Sequence, residues 1–179
     1  NDLIGALSRK IPIVLSNRQI NAADFSGDFV DQENVGTAYA LTNQLLMNGH
    51  KRIALVNGPH HISTAYERYR GFCSAMREAD LVVDESYPYQ YSDTFTTQTG
   101  YDGAHMLMSL VDPPTAFVFA SSELAFGGMR YFAQNRIRIP DEISFVCLGD
   151  LANRDLLYIQ PTLSSVNLHG MGERMAELL

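Results

Sequence analysis

Between Pro114 and Asp150 the order of apolar and polar positions spells out three elements. A short apolar run, Thr115–Ala120, ends in Ser121-Ser122-Glu123. Apolar residues then recur at helical spacing: Leu124, Phe126, Met129, Phe132 and Ala133. Ile139-Pro140-Asp141-Glu142 breaks that period, and a second apolar run covers Ile143–Leu148. The pattern predicts a βαβ unit, two parallel strands under a crossover helix. Ligands of such folds sit outside the carboxyl ends of the strands. Here those ends are Ser121-Ser122 and Gly149-Asp150.

The same alternation extends upstream. Helical spacing marks Asn34–Asn48, with Gly49 as its stop, then Ser63–Ala79 and Thr96–Leu110. Arg52–Val56 is a compact apolar strand, and Tyr87–Tyr91 reads as a strand made irregular by Pro88. The expected class is α/β, a doubly wound parallel sheet with helices on both faces. The flanks fit it less well: a helix tail over Asp2–Arg9, a strand over Ile11–Leu15, polar turns from Ser16 to Ser26 and a short crossing segment at Phe29-Val30. After a loop or short helix over Asn153–Gln160 come a short strand, Leu163–Val166, and a last helix from Gly170. The expected division is 1–30 as part of one subdomain, 31–160 as a complete one, and 161–179 returning to the first. The chain opens at Asn1 without an initiator Met and reads as a fragment.

Charge narrows the function. Thirteen basic against 20 acidic residues give a net charge of −7, with no basic run, so the chain is a poor nucleic-acid binder by itself. No apolar run approaches the ~20 residues of a membrane helix. Cys73 and Cys147 fall on different elements and read as reduced thiols of a cytoplasmic protein. No P-loop, G-x-S-x-G or G-x-G-x-x-G occurs, and nothing pairs a nucleophile with a base, so no catalytic residue and no cofactor are expected. His60-His61 lack companions that would make a metal site and read as loop histidines. His50, after Gly49, reads as a helix-end cap. Gly127-Gly128 lies inside a helix, where glycine is unfavourable, and implies close packing against a neighbouring backbone.

Three positions stand where a ligand would be met. Ser121-Ser122 serves as a helix N-cap and also edges the crevice. Glu67-Arg68 is either an ordinary exposed pair or an arginine poised to fork onto a ligand hydroxyl or carboxylate. Phe95 is either a lid that stacks on a ligand or a ring folded back on the core.

Taken together, Ile11–Arg18 (IPIVLSNR), Asn48–Pro59 (NGHKRIALVNGP), Glu67–Phe72 (ERYRGF), Pro114–Met129, Arg138–Val146 (RIPDEISFV) and Leu163–Val166 before Met171–Leu179 form a recognisable series. In this order they resemble the effector-binding core of the lactose-repressor/galactose-repressor family of bacterial transcription regulators. The resemblance implies a periplasmic-binding-protein-like core, and a helix-turn-helix head, hinge and first N-subdomain part that are absent from this chain. It implies a small-molecule effector, carbohydrate or related, a homodimer, and operator DNA bound through the missing head. It places ligand-binding roles on Asn17, Arg68, Phe95, Ser121, Ser122 and Asp150. The family's first aspartate of G-[FY]-D-D falls on Gly149, and its Asn-Asp pair is shortened to Ser121-Ser122. Those departures point away from a typical hexose, toward a modified sugar, a larger glycoside, a small anion held by Arg68, or a degenerate pocket. The competing classes are a periplasmic transport receptor of the same fold and, more remotely, an enzyme on a doubly wound scaffold.

Overall fold

A computed structural model describes residues 2–17, 19–20, 25–151, 154–157 and 159–179. Parts of the polar stretch expected over Ser16–Ser26 and of the loop expected over Asn153–Gln160 lie outside them. Two sheets are present among the described residues. The smaller pairs β1 (Val14–Ser16) in parallel with β2 (Asp28–Val30). The larger has five parallel strands in the order β4-β3-β5-β6-β7. These are β3 (Ile53–Asn57), β4 (Gln90–Ser92), β5 (Ala116–Phe119), β6 (Ser144–Leu148) and β7 (Thr162–Ser164). The doubly wound parallel architecture is therefore as the pattern predicts.

After α1 (Asp2–Ser8), helices α2 (Asn34–Met47) and α3 (Ser63–Glu78) cover one face of the larger sheet, and α4 (Thr97–Met108) and α5 (Ser122–Gln134) the other. Strand alternation divides the core between them. Ile53, Leu55, Val118 and Val146 meet Leu41, Leu45, Phe72 and Met76 on the α2/α3 side. Ala54, Val56, Phe117, Phe119 and Phe145 meet Leu107, Leu124 and Phe132 on the other. Burial on both faces explains why these strands read as continuous apolar runs rather than alternating ones.

Glycines set how closely the helices approach. A methyl group on Gly127 of α5 would stand 2.0 Å from the Thr97 carbonyl oxygen, and one on Gly100 of α4 would stand 2.0 Å from that of Leu124. The two helix backbones touch, as the paired glycines imply. Gly128 instead faces the Phe119 ring.

Several features differ from the sequence pattern, among them β1, which covers Val14–Ser16 rather than Ile11–Leu15. The strand expected from Tyr87 begins at Gln90. Tyr87 and Tyr89 send their hydroxyls to the carbonyls of Ile53 and Asp112, a use of tyrosine that periodicity does not show. The strand expected over Leu163–Val166 is Thr162–Ser164 and belongs to the larger sheet, beside β6. Chain beyond residue 160 therefore still contributes to that sheet before α6 (Leu168–Leu178) leaves it to pack against β2. His50 caps α2 through its backbone N–H to Leu45 O, but its ring turns to Thr115 Oγ1 at 3.0 Å. Burial lowers that imidazole's pKa, which disfavours the charged form a helix-dipole role would need.

Candidate functional site

Strands β3, β5, β6 and β7 all end at one edge of the larger sheet, and the polar residues that follow them are tied together by hydrogen bonds. Asn57, fully buried at the end of β3, donates to Ala65 O and accepts from the Gly58 N–H, both at 2.9 Å. That fixes the first turn of α3 against the strand end. Arg68 follows one turn later and is half-buried. Its Nε donates to Asn34 Oδ1 at 3.0 Å, and Nη1 donates to the Ala120 carbonyl at the end of β5. Arg68 is thus anchored to both the α2 and β5 sides of the edge, not an ordinary exposed cation.

Asn34 is the centre of this arrangement. It is 3% exposed, and its Nδ2 donates to Glu67 Oε2 at 2.9 Å and to Asp31 Oδ1 at 3.3 Å. Asp31 and Gln32 follow β2 directly, and Gln32 Nε2 donates to Asn17 Oδ1 at 3.0 Å. A line of contacts therefore runs from the end of β1, through the crossing segment, to Arg68 and β5. Asn17 itself sits at φ 62°, in the left-handed region where asparagine is among the better tolerated residues. Burial pulls the Arg68 pKa below its ordinary value, while Asp31, the Cys147 thiol and Glu67 push it back up.

The other expected residues border the same edge. Ser121 caps α5, accepting from the Leu124 N–H at 3.3 Å, and Ser122 opens that helix. Gly149 lies opposite: a methyl group on it would stand 3.8 Å from the Ser122 nitrogen. Its N–H donates to Ser164 Oγ at 2.8 Å, which joins β6 to β7. The Gly149 φ of 106° is one that a residue with a side chain rarely adopts. A backbone suited to glycine thus stands in contact distance of Ser122. Asp150 is 57% exposed, with Arg154 Nη1 at 3.8 Å. Cys147, fully buried beneath, has its pKa pushed up to about 12 by burial, with Arg68 lowering it and Asp150 raising it. Both charges therefore lie within electrostatic reach of one thiol.

Phe95 is half-buried. Its ring packs on the core and lies over Gly58, where any side chain would collide with it. On that side His60 meets the Tyr69 ring edge-on at 4.9 Å and Ser92 Oγ at 3.5 Å. Arg68, Ser121, Ser122, Gly149 and Asp150 gather around the ends of β5 and β6. Phe95 stands on the β3/β4 side, and Asn17 reaches the group through Gln32. Asp31, Asn34, Asn57 and Ser164 were not singled out by the sequence reading. Their polar character before or after apolar runs was visible, but their partners lie many residues away.

A sizeable hollow lies elsewhere. About 1020 Å³ opens at the amino ends of β6 and β7, bordered by Gln44, His50, Arg138, Asp141, Ser144 and Gln160. It is remote from the carboxyl ends, where this topology places ligands.

The chain is similar to several known proteins. Residues 42–179 match the model of the periplasmic binding protein-like domain. The HTH-type transcriptional regulator AglR of Rhizobium meliloti (strain 1021) is 30% identical over 99% of this chain and 49% of its own length. The HTH-type transcriptional regulator CelR of Thermobifida fusca is 29% identical over 94% of this chain and 49% of its own. A solved transcriptional regulator CelR-cellobiose complex superposes with a TM-score of 0.83 at 25% identity, over 93% of this chain and 50% of that one. The chain spans about half the length of the curated relatives it matches.

Proposed function

Because the chain belongs to the periplasmic-binding-protein-like domain family, among lactose-repressor/galactose-repressor-type regulators, we propose that it is the effector-sensing and dimerising core of a cytoplasmic DNA-binding transcriptional regulator. Residues 31–160 form the C-subdomain; 1–30 and 161–179 belong with the N-subdomain, apart from β7. A carbohydrate or related small molecule binds between the subdomains, against Asn17, Arg68, Phe95, Ser121, Ser122 and Asp150. The anchoring of Arg68 across α2 and β5 is the observation that carries this reading. It presents a guanidinium edge at the carboxyl ends of the strands with its remaining donors directed by fixed partners.

An effector shifts the two subdomains only as far as its affinity for their two orientations differs. In the intact regulator that difference changes operator affinity, and DNA changes effector affinity by the same factor. A helix-turn-helix regulator reads two half-sites about one helical turn apart, so a homodimer is mechanically required. The 179 residues hold no basic run, and by themselves bind operator DNA without specificity.

Thermal-shift screening of the intact protein against sugars tests the proposal, with cellobiose as first probe, since a related regulator binds it. A ligand at 100 times its Kd adds about 2.7 kcal/mol, which raises Tm by roughly 5–11 °C for a domain of this size. Arg68→Ala abolishes the shift of any hit. A hit whose affinity is untouched by Arg68→Ala places the ligand elsewhere, and a signal peptide in place of a helix-turn-helix makes the protein a transport receptor.

A further inference from the structure

We propose that the Asp31–Asn34–Glu67 cluster holds Arg68 charge-compensated, so that the crevice selects uncharged effectors over anionic ones; this rests on the crevice reading above. An arginine at the carboxyl edge of a parallel sheet, taken alone, suggests an acid or a phosphate as ligand. Helices α2, α3, α4 and α5 also aim their amino ends at this edge, and each contributes about half a positive charge. Those terms favour an anion.

The surrounding carboxylates outweigh them. Asn34 receives Arg68 Nε on its carbonyl side and donates from its amide side to both Glu67 and Asp31. One buried amide therefore fixes the guanidinium and two carboxylates together. Asp31 and Glu67 share the amide that holds Arg68, so two carboxylates stand beside one guanidinium. The α5 end is answered within its own first turn by Glu123, which accepts from Thr97 Oγ1 at 2.6 Å. Asp150 adds another carboxylate at the β6 end, with Arg154 at 3.8 Å. Among the described residues, an incoming anion meets a wall whose carboxylates are more numerous than its guanidinium groups. A hydroxyl loses nothing there: it accepts from Arg68 and donates to a carboxylate, whereas an anion can only accept. Asn34 acts through Arg68 and is a positioning residue.

The test is calorimetry on the intact protein with cellobiose and glucose as neutral probes, and glucuronate and glucose 6-phosphate as anionic ones. Wild type binds the better neutral probe about tenfold or more tightly than either anion. Glu67→Gln and Asp31→Asn, each of which keeps the shape of the cluster, narrow that ratio. Asn34→Ala narrows it too, while retaining the cooperative unfolding of wild type. A merely structural role for Asn34 lowers affinity for all probes alike and overturns the positioning assignment. Anions binding wild type as tightly as the neutral sugars overturn the proposal, as does a ratio unmoved in both carboxylate variants. If no probe binds wild type, the carbohydrate reading fails separately. Charge compensation is then decided by Asp31→Asn/Glu67→Gln: glucuronate binding that appears in it supports the proposal, and none overturns it. Should the double variant not fold, Glu67→Gln alone decides.

Discussion

Gly127→Ala gives a direct measure of how tightly α4 and α5 are locked beneath the site. In an exposed helix the change stabilises by up to about 1 kcal/mol, through propensity. Here the new methyl group stands 2.0 Å from Thr97 O, 2.5 Å from Tyr101 N and 2.8 Å from Gly100 C. All three are backbone atoms, so no side-chain rotation relieves the clash. Ordinary contact begins near 3.4 Å, and the helices must part by about 1.4 Å to reach it. Such a gap forfeits a large share of the dispersion between facing side chains, Leu107, Leu124 and Phe132 among them. Overpacking of this kind costs about 3 kcal/mol or more, so the net loss is about 2 kcal/mol. Urea denaturation followed by far-UV circular dichroism reads it as a lower midpoint, and Tm falls by roughly 4–8 °C. Gly100→Ala meets Leu124 O at 2.0 Å and behaves alike. The double variant loses less than the sum, because the helices part only once. Gly172→Ala in α6 meets nothing within 4 Å and serves as the control, neutral or slightly stabilising. A Gly127→Ala protein as stable as wild type would refute the close approach.

Gly149→Asp destabilises by about 1–2 kcal/mol because of the backbone there; an unchanged urea midpoint contradicts this. Ser121→Ala removes the α5 cap and costs about 1 kcal/mol, read the same way. Stability falls as pH rises above about 9, where the unfolded Cys147 thiol ionises near its ordinary value of 9.0 while the folded one keeps its proton to about 12. The unfolded state then binds fewer protons, so the slope is negative, and the buried Tyr87 hydroxyl, also raised, adds to it. Cys147→Ala shows a shallower decline of urea midpoint between pH 8 and 10.5; an equal decline shows that the thiol contributes nothing.

How far the sequence carried depended on where each partner lay. The βαβ unit from Pro114 to Asp150 was legible because its apolar runs and helical period are local, and burial of both sheet faces keeps those runs unbroken. The edge bearing Ser121, Ser122 and Asp150 followed from that unit alone. Gly127 was legible as a close-packing position because glycine inside a helix needs compensation, although its partner, Thr97, was not. The arrangement at Asn34 was hidden: its hydrogen bonds reach 33 and 34 residues along the chain, to Glu67 and Arg68. As the first residue of α2 it looked like part of a helix start, and only the packing of α2 on α3 makes it a bridge. The membership of β7 was hidden for a similar reason, since a three-residue strand is defined by its pairing with β6 and not by its own pattern.

The central claim is that a small molecule lodges where β3, β5 and β6 end. Amide chemical-shift mapping of the intact protein with the best sugar from the thermal screen tests it most directly. The account predicts the largest changes at Gly58, Ala120 and Gly149, vanishing in Arg68→Ala. Changes centred instead on His50, Ser144 and Gln160, around the hollow at the opposite edge, would contradict it.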